Sequence, residues 1–144
     1  MIPFRLVAAN DRRQRPSHKE LSQKLALARQ ALEENRFRPA DPMKLAANYR
    51  DLDLYDTRSQ TEALSRALAE VTADCYAGSY PPQRSYEPAT QDQELYAFWW
   101  QSDHFRERMY IKFSLCVREK RPILYLFSIH KSVVGLTEES QWIV

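Results

Sequence analysis

Arg108-Met109-Tyr110-Ile111-Lys112-Phe113-Ser114-Leu115-Cys116-Val117 is the stretch that decides the fold. Met109, Ile111, Phe113, Leu115 and Val117 alternate with Arg108, Tyr110, Lys112, Ser114 and Cys116. Successive side chains of a strand point to opposite faces, so this pattern predicts a half-buried strand with one apolar and one largely polar face. The aromatic-rich Glu94 to Gln101 precedes it, and the nearly all-apolar Ile123 to His130 follows, with turns at Ser102 to Arg106 and Arg118 to Pro122. Segments joined by such short turns pair with their sequence neighbours, which predicts an antiparallel meander of three strands. In the last of them the alternation puts Leu124, Leu126, Ser128 and His130 on one face.

Upstream the period lengthens. Ser17-His18-Lys19-Glu20 is a capping box after Pro16, and Leu21, Leu25, Ala28 and Leu32 follow at helical spacing, predicting a helix from Ser17 to about Glu34. Asn35-Arg36-Phe37-Arg38 breaks that pattern and suits a short edge strand closed off by Pro39. Asp41-Pro42 is a cap followed by a proline at the first helical position, predicting a second helix to about Tyr49. Thr57 to Gln60 offers another capping box, with Leu64, Leu68 and Val71 as the stripe of a third helix. From Ala77 to Gln91 the chain is rich in Pro, Ser, Tyr and Gln, the composition of a long loop, and a long loop in a compact domain is often functional. The predicted class is α+β: N-terminal helices packed on a C-terminal antiparallel sheet of three main strands plus the short edge strand.

The 144 residues fit one domain, and 44% hydrophobic residues suffice for one core. With two glycines, Gly78 and Gly135, there is no Gly/Ser linker, and no repeat is visible. The apolar start Leu6-Val7-Ala8-Ala9 ends in Asn10-Asp11-Arg12-Arg13, too short for a signal peptide, and the longest apolar run elsewhere, Ile123 to Phe127, is far below a membrane span. A cytoplasmic protein with no membrane association is expected. Cys75 and Cys116 stand far apart with no CxxC partner, which favours two structural thiols over a disulfide framework or a zinc site, so no metal and no cofactor are expected. The net charge of +2 is small but unevenly spread: Asp53 to Leu95 holds eight acids against three arginines, and Ser102 to Ser132 seven bases against three acids. The basic half is either a nucleic-acid surface or an ordinary solvated hairpin.

Several segments, taken in order, resemble toxins of the motility quorum-sensing regulator (MqsR) family. His18 to Ser22, the helix to Asn35, Arg36-Phe37-Arg38 and Asp51-Leu52-Asp53-Leu54 are similar to that family's N-terminal half. Asp74-Cys75-Tyr76 resembles its Asp-Phe-Tyr element, Gln93-Glu94-Leu95-Tyr96 its Gln-x-x-Tyr strand, Met109-Tyr110-Ile111-Lys112-Phe113 its Tyr-Leu/Ile-Lys-Phe strand, and Ser128-Ile129-His130 its terminal Ser-Phe-His/Lys. The resemblance covers a core of about residues 16–131 and leaves 1–15 and 132–144 as extensions. It implies a RelE-like ribonuclease fold, cleavage of single-stranded messenger RNA without a metal, and a cognate antitoxin protein that binds DNA. One departure stands out. The family follows Asp-Phe-Tyr with Lys-Ser, where this chain has Ala77-Gly78-Ser79.

Metal-free RNA cleavage uses the 2′-hydroxyl as nucleophile and needs a proton acceptor, a cation near the phosphate oxygens and a proton donor to the 5′-oxygen. Tyr110 and Lys112, two apart on one strand, share a face beside Arg108 and Ser114. His130 is the best general acid or base, because an unperturbed imidazole titrates near neutrality, and it stands where the resembled family has its terminal catalytic residue. The expected roles are His130 as proton donor or acceptor, Lys112 or Arg108 as the stabilising cation, and Tyr110 as a hydrogen-bonding partner of the phosphate. Gln93 is carried over from the resemblance as a substrate-positioning residue, and Tyr76, beside the long loop, is assigned to substrate contact. Each has a plain alternative: Tyr and Lys are ordinary decoration of an exposed strand face, and a lone His at a strand end is commonly structural. Of Tyr96, Phe98, Trp99 and Trp100, only those on the Lys112 face are free to stack on bases. Loss of the family lysine leaves a second reading open, a catalytically inactive RNA- or protein-binding module on the same fold.

Overall fold

A computed structural model describes residues 16–79 and 82–132. The expected extensions, 1–15 and 132–144, therefore lie outside the described residues except for Ser132. Three α-helices come first: α1 (His18–Glu33), α2 (Pro42–Asp51) and α3 (Thr57–Glu70). Between the first two runs the short strand β1 (Phe37–Pro39), and the chain closes with β2 (Tyr96–Ser102), β3 (Glu107–Arg118) and β4 (Arg121–Lys131). The class is α+β, as the sequence predicts.

The caps explain the helix starts. The Ser17 hydroxyl accepts from the Glu20 amide at 3.0 Å, and the Asp41 carboxylate accepts from the Lys44 amide at 3.2 Å. The third helix starts differently from the expected capping box. Asp56 is the cap, taking the Ser59 amide at 2.8 Å and the Ser59 hydroxyl at 3.0 Å, and Thr57 is already helical. An acid accepts both donors of Ser59 and meets the positive helix end, so it outcompetes the neighbouring threonine. At the other end of α3, the Arg29 guanidinium of α1 donates to the carbonyls of Leu68 (2.7 Å) and Val71 (3.0 Å), satisfying acceptors that the helix leaves open.

The sheet order is β1-β4-β3-β2. β2, β3 and β4 form the expected antiparallel meander, but β1 joins β4 in parallel, Phe37 opposite Leu124, so the sheet is mixed rather than antiparallel throughout. The parallel sense is allowed by the connection: α2, α3, β2 and β3 intervene between β1 and β4, and no hairpin constrains their direction. One face packs on the helices. Phe98, Ile111, Phe113, Leu124, Leu126 and Ile129 meet Leu21, Leu25, Leu64 and Leu68 there, all at most 1% exposed.

The register of β4 corrects a prediction. A bulge between Lys112 and Phe113 sets Ser128 opposite Lys112 but Leu126 opposite Phe113, so Phe127 is the extra residue. Leu124 and Leu126 consequently share the core face with Ile129, while Ser128 and His130 belong to the other face. Without the bulge, strict alternation would bury His130 under the helices. The β3–β4 hairpin turns through Glu119 and Lys120, both in the left-handed region (φ 53° and 65°), the pairing a tight two-residue turn needs. The free thiols Cys75 and Cys116 are both half-buried.

Candidate functional site

The second face of the sheet collects the polar side of each strand. Register sets Gln101 opposite Arg108, Trp99 opposite Tyr110 and Ala97 opposite Lys112 between β2 and β3, then Tyr110 opposite His130 and Lys112 opposite Ser128 between β3 and β4. Trp99, Tyr110 and His130 therefore form one row across three strands. The Tyr110 and His130 rings stack at 5.1 Å between centroids with 28° between planes, and Trp99 tilts against Tyr110 at 6.3 Å. Arg108, exposed, holds its guanidinium 5.1 Å from the Trp99 ring centre, a cation–π contact.

Each member is tuned by its surroundings. Tyr110 is 6% exposed, and burial pushes its phenol up to about 12, so at neutral pH it is a hydrogen-bond donor and not a base. Lys112 is half-buried, and its ammonium is held below the usual lysine range, first by desolvation and second by the positive charge of Lys44 on α2. No carboxylate answers it among the described ion pairs, which are His18 with Asp74, Arg121 with Glu34 and Lys131 with Glu107. A cation kept partly dry and next to another cation is stabilised by any anion that arrives. The half-buried His130 places Nδ1 2.9 Å from the carbonyl of Lys131. A carbonyl only accepts, so Nδ1 is the donor in this contact and Nε2 is the ring nitrogen left to face the row.

Behind His130, α2 supports the strand: the Asn48 side-chain oxygen accepts from the Ile129 amide at 2.9 Å, at the edge of β4 that β1 leaves unpaired. Beside Tyr110 and Lys112 lies a recess of about 30 Å³ walled by Ala77, Gly78, Ser79, Gln83, Leu95 and Ala97. It holds a group of about one water's size, such as one phosphate oxygen.

Four of the six residues expected from the sequence, Arg108, Tyr110, Lys112 and His130, thus meet on one face. Gln93 stands at its margin. It lies in the loop before β2, and its side-chain oxygen accepts from the Ser114 hydroxyl at 2.8 Å. Tyr76 goes elsewhere: its ring packs edge-on to Phe98 (5.9 Å) on the helix side, and its hydroxyl donates to the Ser79 carbonyl at 2.7 Å. That bond curls the chain so tightly that a Cβ on Gly78 would come within 2.5 Å of the Tyr76 hydroxyl oxygen. Ala77, at the position where the resembled sequences carry a lysine, is buried against Ala97, Trp99 and Tyr110. Of the four β2 aromatics, Trp99 alone faces Lys112; Tyr96, Phe98 and Trp100 are core. Sequence reading missed Lys44 and Asn48, because nothing local tells that α2 flanks the free part of β4.

Among the described residues no three His, Cys, Asp or Glu side chains are grouped to hold a metal ion, and no described helix is long and apolar enough to cross a membrane. No family model, curated protein or solved structure matches this chain.

Proposed function

We propose that the row Trp99–Tyr110–His130 with Lys112 is the active centre of a metal-independent endoribonuclease, a toxin of the MqsR type on a RelE-like fold, acting on single-stranded messenger RNA and held in check by a cognate antitoxin. The observation that carries the reading is the stacking of the His130 imidazole on the Tyr110 ring, at 5.1 Å, next to a half-buried lysine with no carboxylate partner.

In this reading each group takes the role its chemistry allows. Nε2 of His130 takes the proton from the 2′-hydroxyl as that oxygen attacks phosphorus. The bond from phosphorus to the 5′-oxygen breaks, leaving a 2′,3′-cyclic phosphate on one fragment. The proton held by His130 passes, directly or through water, to the departing 5′-oxygen, which becomes the 5′-hydroxyl of the other fragment, while the neutral phenol of Tyr110 donates a hydrogen bond to a non-bridging phosphate oxygen. Lys112, with Arg108 nearby, offsets the charge that builds on the non-bridging oxygens. Trp99, 9% exposed and covered by the Arg108 guanidinium, backs Tyr110 and does not itself stack on a base.

The test uses purified protein and an end-labelled single-stranded RNA in EDTA. Cut fragments ending in cyclic phosphate, with an all-deoxy strand left intact, are expected. Buried Ala77 in place of a cation favours a second reading, a binding module without turnover; RNA retained in a salt-sensitive manner with no fragment would establish that version instead.

A further inference from the structure

A cavity of about 410 Å³ lies on the far side of α2 from Asn48, between β1, α2 and the segment that enters α3. Its apolar walls include Phe37, Pro39, Leu45 and Leu54, a volume and lining suited to a small organic ligand. Two polar groups break the apolar surface. Tyr49 is 8% exposed, and its hydroxyl has no hydrogen-bond partner among the described residues. The hydroxyl oxygen is not among the fully buried atoms left without a partner, so it opens on the cavity, where a ligand's acceptor can reach it. Burial pushes this phenol up to about 12, so it is a donor throughout the neutral range. Next to it in sequence, Arg50 lines the same cavity, exposed and outside every described ion pair.

The edge of β1 does not invite an added strand, because Pro39 has no amide to donate on that side. This lining is complementary to an apolar body that carries an acceptor for Tyr49 and a negative charge for Arg50. We infer that it is a binding site for a small apolar carboxylic acid, whose tail fills the space between Phe37, Leu45 and Leu54 and whose carboxylate is met by the Tyr49 hydroxyl and the Arg50 guanidinium. This site is separate from the RNA-cleaving face, and the inference stands whether or not the chain cuts RNA.

Octanoate is the probe, with octanol and octylamine of the same chain length as charge controls, and backbone amide chemical shifts of the full chain as the readout. Saturable shifts confined to Leu45, Tyr49, Arg50 and Leu54 are expected with octanoate and not with octylamine. R50Q and Y49F should each weaken octanoate about ten-fold, the effect of one hydrogen bond to a charged group. Arg50 is exposed and Tyr→Phe keeps the ring, so both variants retain the packing. The absence of saturable shifts, shifts centred elsewhere, equal binding of octanol, or unchanged affinity in both variants would overturn the inference.

Discussion

Replacing Glu70 by alanine should cost about 3 kcal/mol of folding stability, because one carboxylate at the end of α3 holds the entire β2–β3 turn. It accepts from the Trp100 indole (2.9 Å), the Ser102 hydroxyl (2.6 Å) and the amides of Asp103 (2.9 Å) and His104 (3.0 Å). The two amides are exposed and turn to water when the carboxylate is removed. Trp100 and Ser102 are 5% and 1% exposed, so their donors lose a charged acceptor in a place water does not reach. Two such losses at about 1–3 kcal/mol each, taken in the lower half of that range, give the figure. For a chain of this size that lowers the melting temperature by roughly 9 °C. The effect is pH-dependent. Burial raises the Glu70 pKa, but the bonds from Ser102, Trp100, His104 and Asp103 outweigh it and leave it lowered from 4.5. A depressed carboxylate stabilises the fold above its unfolded pKa, and that contribution disappears as pH falls through the folded value. Calorimetry of wild type and E70A should therefore show the full gap at neutral pH and a closing gap below pH 4.5. A difference under about 1 kcal/mol at neutral pH, or one that persists in strong acid, would refute the reasoning.

Three further outcomes follow from the same structure. K112M should reduce RNA cleavage by about 100-fold or more while leaving melting unchanged or higher, since the variant keeps the side-chain length and removes a half-buried charge that Lys44 already opposes; a variant that melts lower and cuts normally contradicts it. In a phenolate absorbance titration, Tyr49 and Tyr110 should ionise at about 12, and Y49F and Y110F should each delete one late-titrating group. Their neutral forms support the fold up to pH 10.0 and cease to do so as pH rises toward 12, so alkaline unfolding is expected in that window. E119N/K120G should stabilise the protein by about 1 kcal/mol in denaturant unfolding, because both positions have positive φ, which Asn and Gly adopt at lower cost.

The parts of this molecule that were legible in the sequence are those where period and chemistry agree locally. Alternation from Arg108 to Val117 gave the face of Tyr110 and Lys112, and the short turns gave its neighbours. Local pattern misassigned β4, because Phe127 sits in an apolar run where an extra residue leaves no trace, and the single bulge moves Ser128 and His130 away from Leu126. Asp56 took the capping role through charge and reach, which a capping-box pattern starting at Thr57 does not register. Tyr76 carries a sequence likeness to a functional element, yet its ring is needed against Phe98. The Glu70 cluster and the cavity beside Tyr49 join segments distant in sequence, and only the packing of α2 and α3 against the sheet reveals them.

The most direct measurement is the single-turnover rate at which H130A cuts a single-stranded RNA in EDTA, beside wild type and with folding checked by melting. Loss of the only imidazole in the Trp99–Tyr110–His130 row should slow cleavage by about 100- to 10,000-fold at an unchanged fold. Cleavage by H130A at the wild-type rate would show that RNA is not cut at this face.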